Sequence, residues 1–186
     1  MNISTVFIFH GVGGHAKENW FPWLKDQLEA AHVRVIVPDF PNTDHPMLSE
    51  WSDSFHQYET LLDEKTIFVG HSLGAAFALR LLERMQKPLR ACFLVAPVWA
   101  VMGNQFDPVL KTFTEHPYDW KTIRRNAEHF SVIHSDNDPY IKLSQAGELA
   151  KNLGIEVSLI NGGGHLNTNA GYRAFPFLLE KITAIA

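Results

Sequence analysis

A serine hydroxyl is a poor nucleophile unless its surroundings activate it. Gly70-His71-Ser72-Leu73-Gly74 offers such surroundings. The pentapeptide joins the β-branched run Thr66–Val69 to the Ala/Leu-rich run Leu73–Met85. A strand that becomes a helix through G-x-S-x-G makes a tight elbow with the serine at its tip. The serine there takes strained backbone angles. Gly70 and Gly74 remove side chains that would strike the adjoining strand and helix. The positive end of the helix then points at the hydroxyl.

Activation requires a base and an acid that orients it. Two later loops supply candidates. Ser135-Asp136-Asn137-Asp138-Pro139 follows the apolar run Phe130–His134, and Asn161-Gly162-Gly163-Gly164-His165 follows Val157–Ile160. The chain order is serine, aspartate, histidine, each beyond the end of an apolar run. That order fits acyl transfer with Ser72 as nucleophile and His165 as base. The acid stays open between Asp136 and Asp138, since either could cap the following helix. Pro139 biases Asp138 toward extended backbone, which does not decide between them. An oxyanion hole needs two backbone donors. The N–H of Leu73 is one, and the N–H of Val12 in His10-Gly11-Val12-Gly13-Gly14, a loop of the H-G-G-G type, is the other.

The same glycines admit a rival reading. Gly11-Val12-Gly13-Gly14-His15-Ala16 matches G-x-G-x-x-A, and Asp39 ends the second apolar run as a ribose-binding acid would. A dinucleotide site, however, needs a helix that starts within the glycines. Pro22 would then lie inside that helix, where it clashes. It fits better in the first turn of a helix that starts near Asn19 or Trp20. No cofactor is therefore expected. The remaining histidines lack metal-ligand spacing, and no metal is expected either. His10 and His71 are expected to shape the oxyanion loop and the elbow rather than act as bases. Asp39 is expected to cap or line the loop Pro38–Pro46, and Trp51 and Trp99 either to line an acyl pocket or to fill core.

These residues need a scaffold. Short apolar runs at Thr5–Phe9, Val33–Val37, Thr66–Val69, Ala91–Val95, Phe130–His134 and Val157–Ile160 read as strands buried on both faces. Helical patterns cover Trp20–Ala31, Met47–Leu62, Leu73–Met85, Lys142–Leu153 and Ala174–Ala184. The alternation predicts a doubly wound α/β sandwich of three layers, with a mainly parallel six-stranded sheet and a minimal cap. Pro97–Asp119 is the least regular stretch. It reads equally well as a short lid or as a surface excursion whose aromatics tuck into the core.

The 186 residues suit one domain, and 46% hydrophobic content suits a real core. A net charge of -4 without a basic block argues against nucleic acid or an anionic membrane as partner. The lone Cys92 cannot pair internally and reads as core. It fits a reducing cytoplasm. No signal peptide or membrane-length apolar run is read. Oligomeric state is not legible.

Asn19–Glu29, Val37–Trp51, Asp63–Ala75, His116–Tyr140 and Asn161–Asn167 together carry a resemblance. The chain resembles the small serine hydrolase family that includes retinoblastoma-binding protein nine, within the α/β-hydrolase superfamily. The resemblance implies a six-stranded parallel fold with little or no cap. It also implies Ser72 as nucleophile, His165 as base and Asp138, in Asp138-Pro139, as acid. The retinoblastoma-binding peptide L-x-C-x-E is missing at Leu89-Arg90-Ala91-Cys92-Phe93, so that partner is not carried over. The expected activity is hydrolysis of small carboxylic esters through an acyl-enzyme on Ser72. The alternative is a binding or regulatory module that keeps a weakly active triad.

Overall fold

Mostly apolar runs of three to nine residues hydrogen-bond side by side to form one parallel sheet. The computed structural model describes residues 3–185. The strands are β1 (Thr5–Phe9), β2 (Arg34–Ile36), β3 (Thr66–His71), β4 (Leu89–Val95), β5 (Ala127–Ser135) and β6 (Val157–Ile160). They lie in the order β2-β1-β3-β4-β5-β6, and every pairing is parallel. Side chains alternate across the sheet. Phe7, Phe9, Phe68, Cys92 and Leu94 face one core, and Val6, Ile8, Val69, Phe93 and Val95 face the other.

Helices cover both faces. α1 (Phe21–Ala30) and α7 (Pro176–Thr183) pack on the second core through Leu24, Leu28, Leu178 and Ile182. α2 (Leu48–Phe55), α3 (Leu73–Arg84), α4 (Asp107–Thr114), α5 (Trp120–Arg125) and α6 (Leu143–Leu153) pack on the first. Pro22 falls in the first turn of α1, where its missing N–H costs nothing. Gly154 closes α6 in the left-handed conformation.

Several boundaries differ from the sequence expectation. β2 is shorter than Val33–Val37 because it is an edge strand paired only to β1. β3 runs on to His71, so the strand delivers the chain directly to Ser72. The helix expected over Met47–Leu62 is α-helical only to Phe55. His56–Leu61 tightens to a 3-10 turn, whose exposed residues bury no stripe that would favour an α-helix. Pro97–Asp119 contains α4, and α5 follows it. Phe113 and Leu110 are buried in the first core, while Val98, Met102 and Phe106 face a cavity beside Ser72. The stretch is thus both core filling and cavity wall.

The order of winding across the sheet reverses after β2, since β3 pairs with β1 on its other side. After β1 the chain turns to α1 on one face, and after β3 it turns to α3 on the other. The adjacent carboxyl ends of β1 and β3 therefore open a crevice, the usual ligand position in such a sheet.

Candidate functional site

Ser72 occupies that crevice. It is the N-cap residue of α3 and has φ 54 and ψ -120, a left-handed conformation that costs a serine roughly 1–3 kcal/mol. The elbow needs glycine at 74, because a Cβ there would collide with the backbone of Phe9. Backbone cannot yield as a side-chain tip can. Gly74→Ala is expected to destabilise the fold by about 1–3 kcal/mol, read as a lower urea midpoint. An unchanged midpoint would mean that the elbow opens freely.

The β1 loop presses on Ser72 from the other side. A Cβ at Gly11 would stand 2.9 Å from Ser72 Cβ. This contact brings the following residue, Val12, to the cavity wall beside Ser72. His10 holds the loop, since its Nδ1 lies 2.9 Å from Gly11 O and its Nε2 accepts from the N–H of Phe40 at 3.2 Å. Burial lowers its pKa. Gly13 N–H donates to Thr43 O at 2.8 Å, and Asp39 Oδ1 accepts from Ala16 N–H at 2.6 Å. These bonds occupy the glycine loop with the Pro38–Pro46 segment. α1 begins only at Phe21, as the rejection of a dinucleotide site requires.

His165 lies opposite. Its Nδ1 is 2.8 Å from Asp138 Oδ2, and the Asp138 side chain is fully buried. Burial alone would raise the Asp138 carboxyl. The hydrogen bond and charge of His165, with the N–H groups of Tyr140 and Ile141, outweigh it and hold the pKa below the usual carboxylate range. Those N–H groups donate to Oδ1 at 2.9 Å and 3.1 Å. An ionised carboxylate only accepts, so Nδ1 of His165 donates this bond, and Nε2 is the ring nitrogen that Asp138 does not engage. Asp136 is placed elsewhere. Its Oδ1 accepts from Gly162 N–H at 2.7 Å, so it pins the glycine loop rather than the imidazole.

Other residues that hold the histidine escaped the sequence reading. Asn137 Oδ1 accepts from Gly164 N–H at 2.7 Å, and Ser135 Oγ donates to Gly164 O at 2.7 Å. Asn19 Oδ1 accepts from Thr168 N–H, and Trp20 Nε1–H donates to Leu166 O, both at 2.9 Å. The paired polar loops Ser135–Asp138 and Asn161–His165 gave the only sequence hint of such stapling.

Two further imidazoles flank the pair. His134 Nε2–H donates to Ile141 O at 3.1 Å, and its Nδ1 stands 4.0 Å from Asp138 Oδ2. His71 Nε2–H donates to His165 O at 3.0 Å, and the two rings lie 4.9 Å apart. Burial, then the charge of His165, lowers the His71 pKa to about 3. Burial also lowers that of His134. An unfolded histidine takes a proton near pH 6.5, whereas these buried rings resist it. Their contribution is complete above about pH 6.5 and is lost as pH falls toward the folded values. Stability should therefore drop by several kcal/mol from about pH 6.5 to about pH 4, as urea unfolding would show. His71→Asn should make that decline shallower, and an equal slope would contradict the assignment.

Ser72, His165 and Val12 line one cavity of about 220 Å³. Among the described residues Ser72 Oγ makes no hydrogen bond, to His165 Nε2 or any other group. Such contacts are often long before substrate binds and tighten in the complex. Trp51 lies outside this cavity. It stacks on Phe40 with 4.4 Å between ring centroids, in the core. Trp99 packs on Trp120 and donates to Gln145 O at 2.9 Å. Cys92 is buried in the sheet, and burial pushes its thiol up.

Residues 6–184 match the serine hydrolase family. The chain belongs to that family. It is 32% identical over 183 residues to YdeN of Bacillus subtilis strain 168, covering 97% of this chain and 95% of that protein. It is 28% identical over 175 residues to serine hydrolase RBBP9 of Rattus norvegicus, covering 94% and 92%. The crystal structure of the B. subtilis ydeN gene product superposes with a TM-score of 0.93 at 30% identity, covering 98% of each chain. Est1E from Butyrivibrio proteoclasticus, at 15% identity and a TM-score of 0.71, shares the fold. The serine hydrolase has the α/β-hydrolase architecture. No helix among the described residues is long and apolar enough to cross a membrane.

Proposed function

We propose that this serine hydrolase cleaves small carboxylic esters through an acyl-enzyme on Ser72. The observation that carries the reading is the 2.8 Å Asp138–His165 bond, with His165 and Ser72 on one cavity. His165 Nε2 takes the proton from Ser72 Oγ as the oxygen attacks the ester carbonyl. Buried Asp138 keeps Nδ1 protonated and steadies the imidazolium. The N–H groups of Leu73 and Val12 receive the oxyanion. The tetrahedral intermediate then collapses, the C–O bond to the alcohol breaks, and His165 returns its proton to that oxygen. Water repeats the sequence on the acyl-enzyme and frees the acid. The acid, the base and the nucleophile are all side chains of this chain, so the scheme calls for no cofactor or metal. We place the enzyme in the cytoplasm on the strength of its single, buried cysteine.

A fluorophosphonate probe tests the reading. The native protein should label rapidly at Ser72, and the heat-denatured protein should not. A native protein that does not label would favour a binding module instead.

A further inference from the structure

Ser72 separates two openings of unlike chemistry. One, of about 220 Å³, is walled by Val98, Met102, Phe106, Leu110, Tyr140 and Ile141. The other, also about 220 Å³, presents Glu18, Asn19, Asn167, Thr168 and Asn169. Ser72, Val12, His165 and Asn167 line both, so Asn167 stands where the two openings meet. We infer that the apolar opening takes the acyl chain and the polar opening takes an alcohol portion that itself bears hydroxyl groups. The substrate class is then a short-chain ester of a polyol. This inference rests on the ester chemistry proposed above and narrows it.

The apolar side fits a modest acyl group. A cavity of roughly 150 Å³ holds benzene, so this one has room for a short chain or a single ring. Carbon placed there leaves water, which favours binding.

The polar side is preformed and has hydrogen-bonding capacity to spare. Asn19 Oδ1 is occupied by Thr168 N–H, and Asn167 Oδ1 by Ala170 N–H at 3.1 Å. The NH₂ groups of Asn19 and Asn167 are thus the donors left over, beside the hydroxyl of Thr168 and the amide of Asn169. Glu18 adds an acceptor. The Trp20–Leu166 bond fixes the same segment, so little ordering is required on binding. A hydroxyl both donates and accepts, and so satisfies this mixture. A plain alkyl alcohol would strip water from these groups and return nothing, which is costly. An ammonium group would satisfy Glu18 but none of the amide donors.

Three esters decide the matter. Glyceryl monobutyrate presents carbon on the acyl side and hydroxyls on the alcohol side. Butyl butyrate lacks the hydroxyls, and butyl dihydroxybutyrate reverses the arrangement. The wild type should favour glyceryl monobutyrate over both in kcat/KM by about 10-fold or more. Glu18→Gln, close in shape and so able to fold, and Asn169→Ala should each shrink that ratio. Equal rates, preference for the reversed ester, or an unchanged ratio in both variants would overturn the inference. Fluorophosphonate labelling of the same preparation separates the two failures. Labelling at Ser72 without the preference sinks only the polyol assignment, whereas absent labelling sinks the ester reading and this inference with it.

Discussion

Ser72→Ala is expected to lower kcat for an aryl ester by about 10⁶. Alanine removes the oxygen that the proposed scheme joins to the acyl group, at the residue where β3 passes into α3. What would remain is the stabilisation proposed for the N–H groups of Val12 and Leu73, which would act on any carbonyl held there. The loss belongs in kcat, since alanine leaves both openings intact and substrate can still bind. Residue 72 keeps its φ of 54, so the variant bears similar backbone strain and should unfold at nearly the same urea concentration. A variant that folds and retains more than about a hundredth of wild-type kcat would remove Ser72 from the mechanism.

Asp138→Ala is expected to lower kcat by about 10⁴. The smaller loss follows from position, because Asp138 contacts His165 and not the reacting atoms. Without it, Nδ1 loses its acceptor, the tautomer is no longer fixed, and the imidazolium loses its counter-charge. A second consequence is structural. Oδ1 receives the N–H groups of Tyr140 and Ile141, and both residues wall the apolar cavity. KM for an acyl-bearing substrate should therefore rise as kcat falls. Asp138→Asn separates the two effects: it can still accept from Tyr140 and Ile141, so KM should recover while kcat stays low. The depressed Asp138 pKa also fixes a sign. Its carboxylate contributes stability above the usual carboxylate range, and that contribution is lost only as pH falls through the lower folded value. The acid limb of the rate profile should therefore not arise from Asp138. Asp136→Ala supplies the contrast. Asp136 holds only Gly162 N–H, so its effect on kcat should be far smaller.

Much of this arrangement is legible in the residues, for a physical reason. A buried parallel strand must be apolar on both faces, so the strands show as short, mostly apolar runs. An elbow that would collide at residue 74 admits only glycine, so Gly70 and Gly74 mark it plainly. The contacts that hold the histidine do not show. Asn137, Ser135, Asn19 and Trp20 act on backbone groups up to 149 residues away, and polar loop residues look alike whatever they bond. Arg80 is the clearest example. Within the apolar helix α3 it reads as a stray charge. Its guanidinium instead binds Phe113 O at 3.0 Å and Glu83 at 2.9 Å and lies 3.7 Å over the Tyr118 ring. It thereby fastens the Phe113–Tyr118 segment, just beyond the α4 residues that wall the cavity. The choice between lid and core for Pro97–Asp119 was undecidable from periodicity, because the same short helix buries Phe113 and Leu110 and turns toward Ser72. The 3-10 turn His56–Leu61 was missed because its spacing mimics one more helical turn.

The central claim is that the elbow hydroxyl, the imidazole and the two amides act together on one carbonyl group. A crystal structure of the protein inactivated by an alkyl phosphonate tests it most directly, since the phosphorus mimics the carbonyl carbon in its tetrahedral state. The account predicts phosphorus bonded to Ser72 Oγ. It also predicts one phosphoryl oxygen within hydrogen-bonding reach of the Leu73 and Val12 nitrogens, His165 Nε2 turned toward the adduct, and the alkyl chain between Met102 and Leu110. Phosphorus on another residue, or an imidazole still bonded to Asp138 but facing away from the adduct, would contradict it.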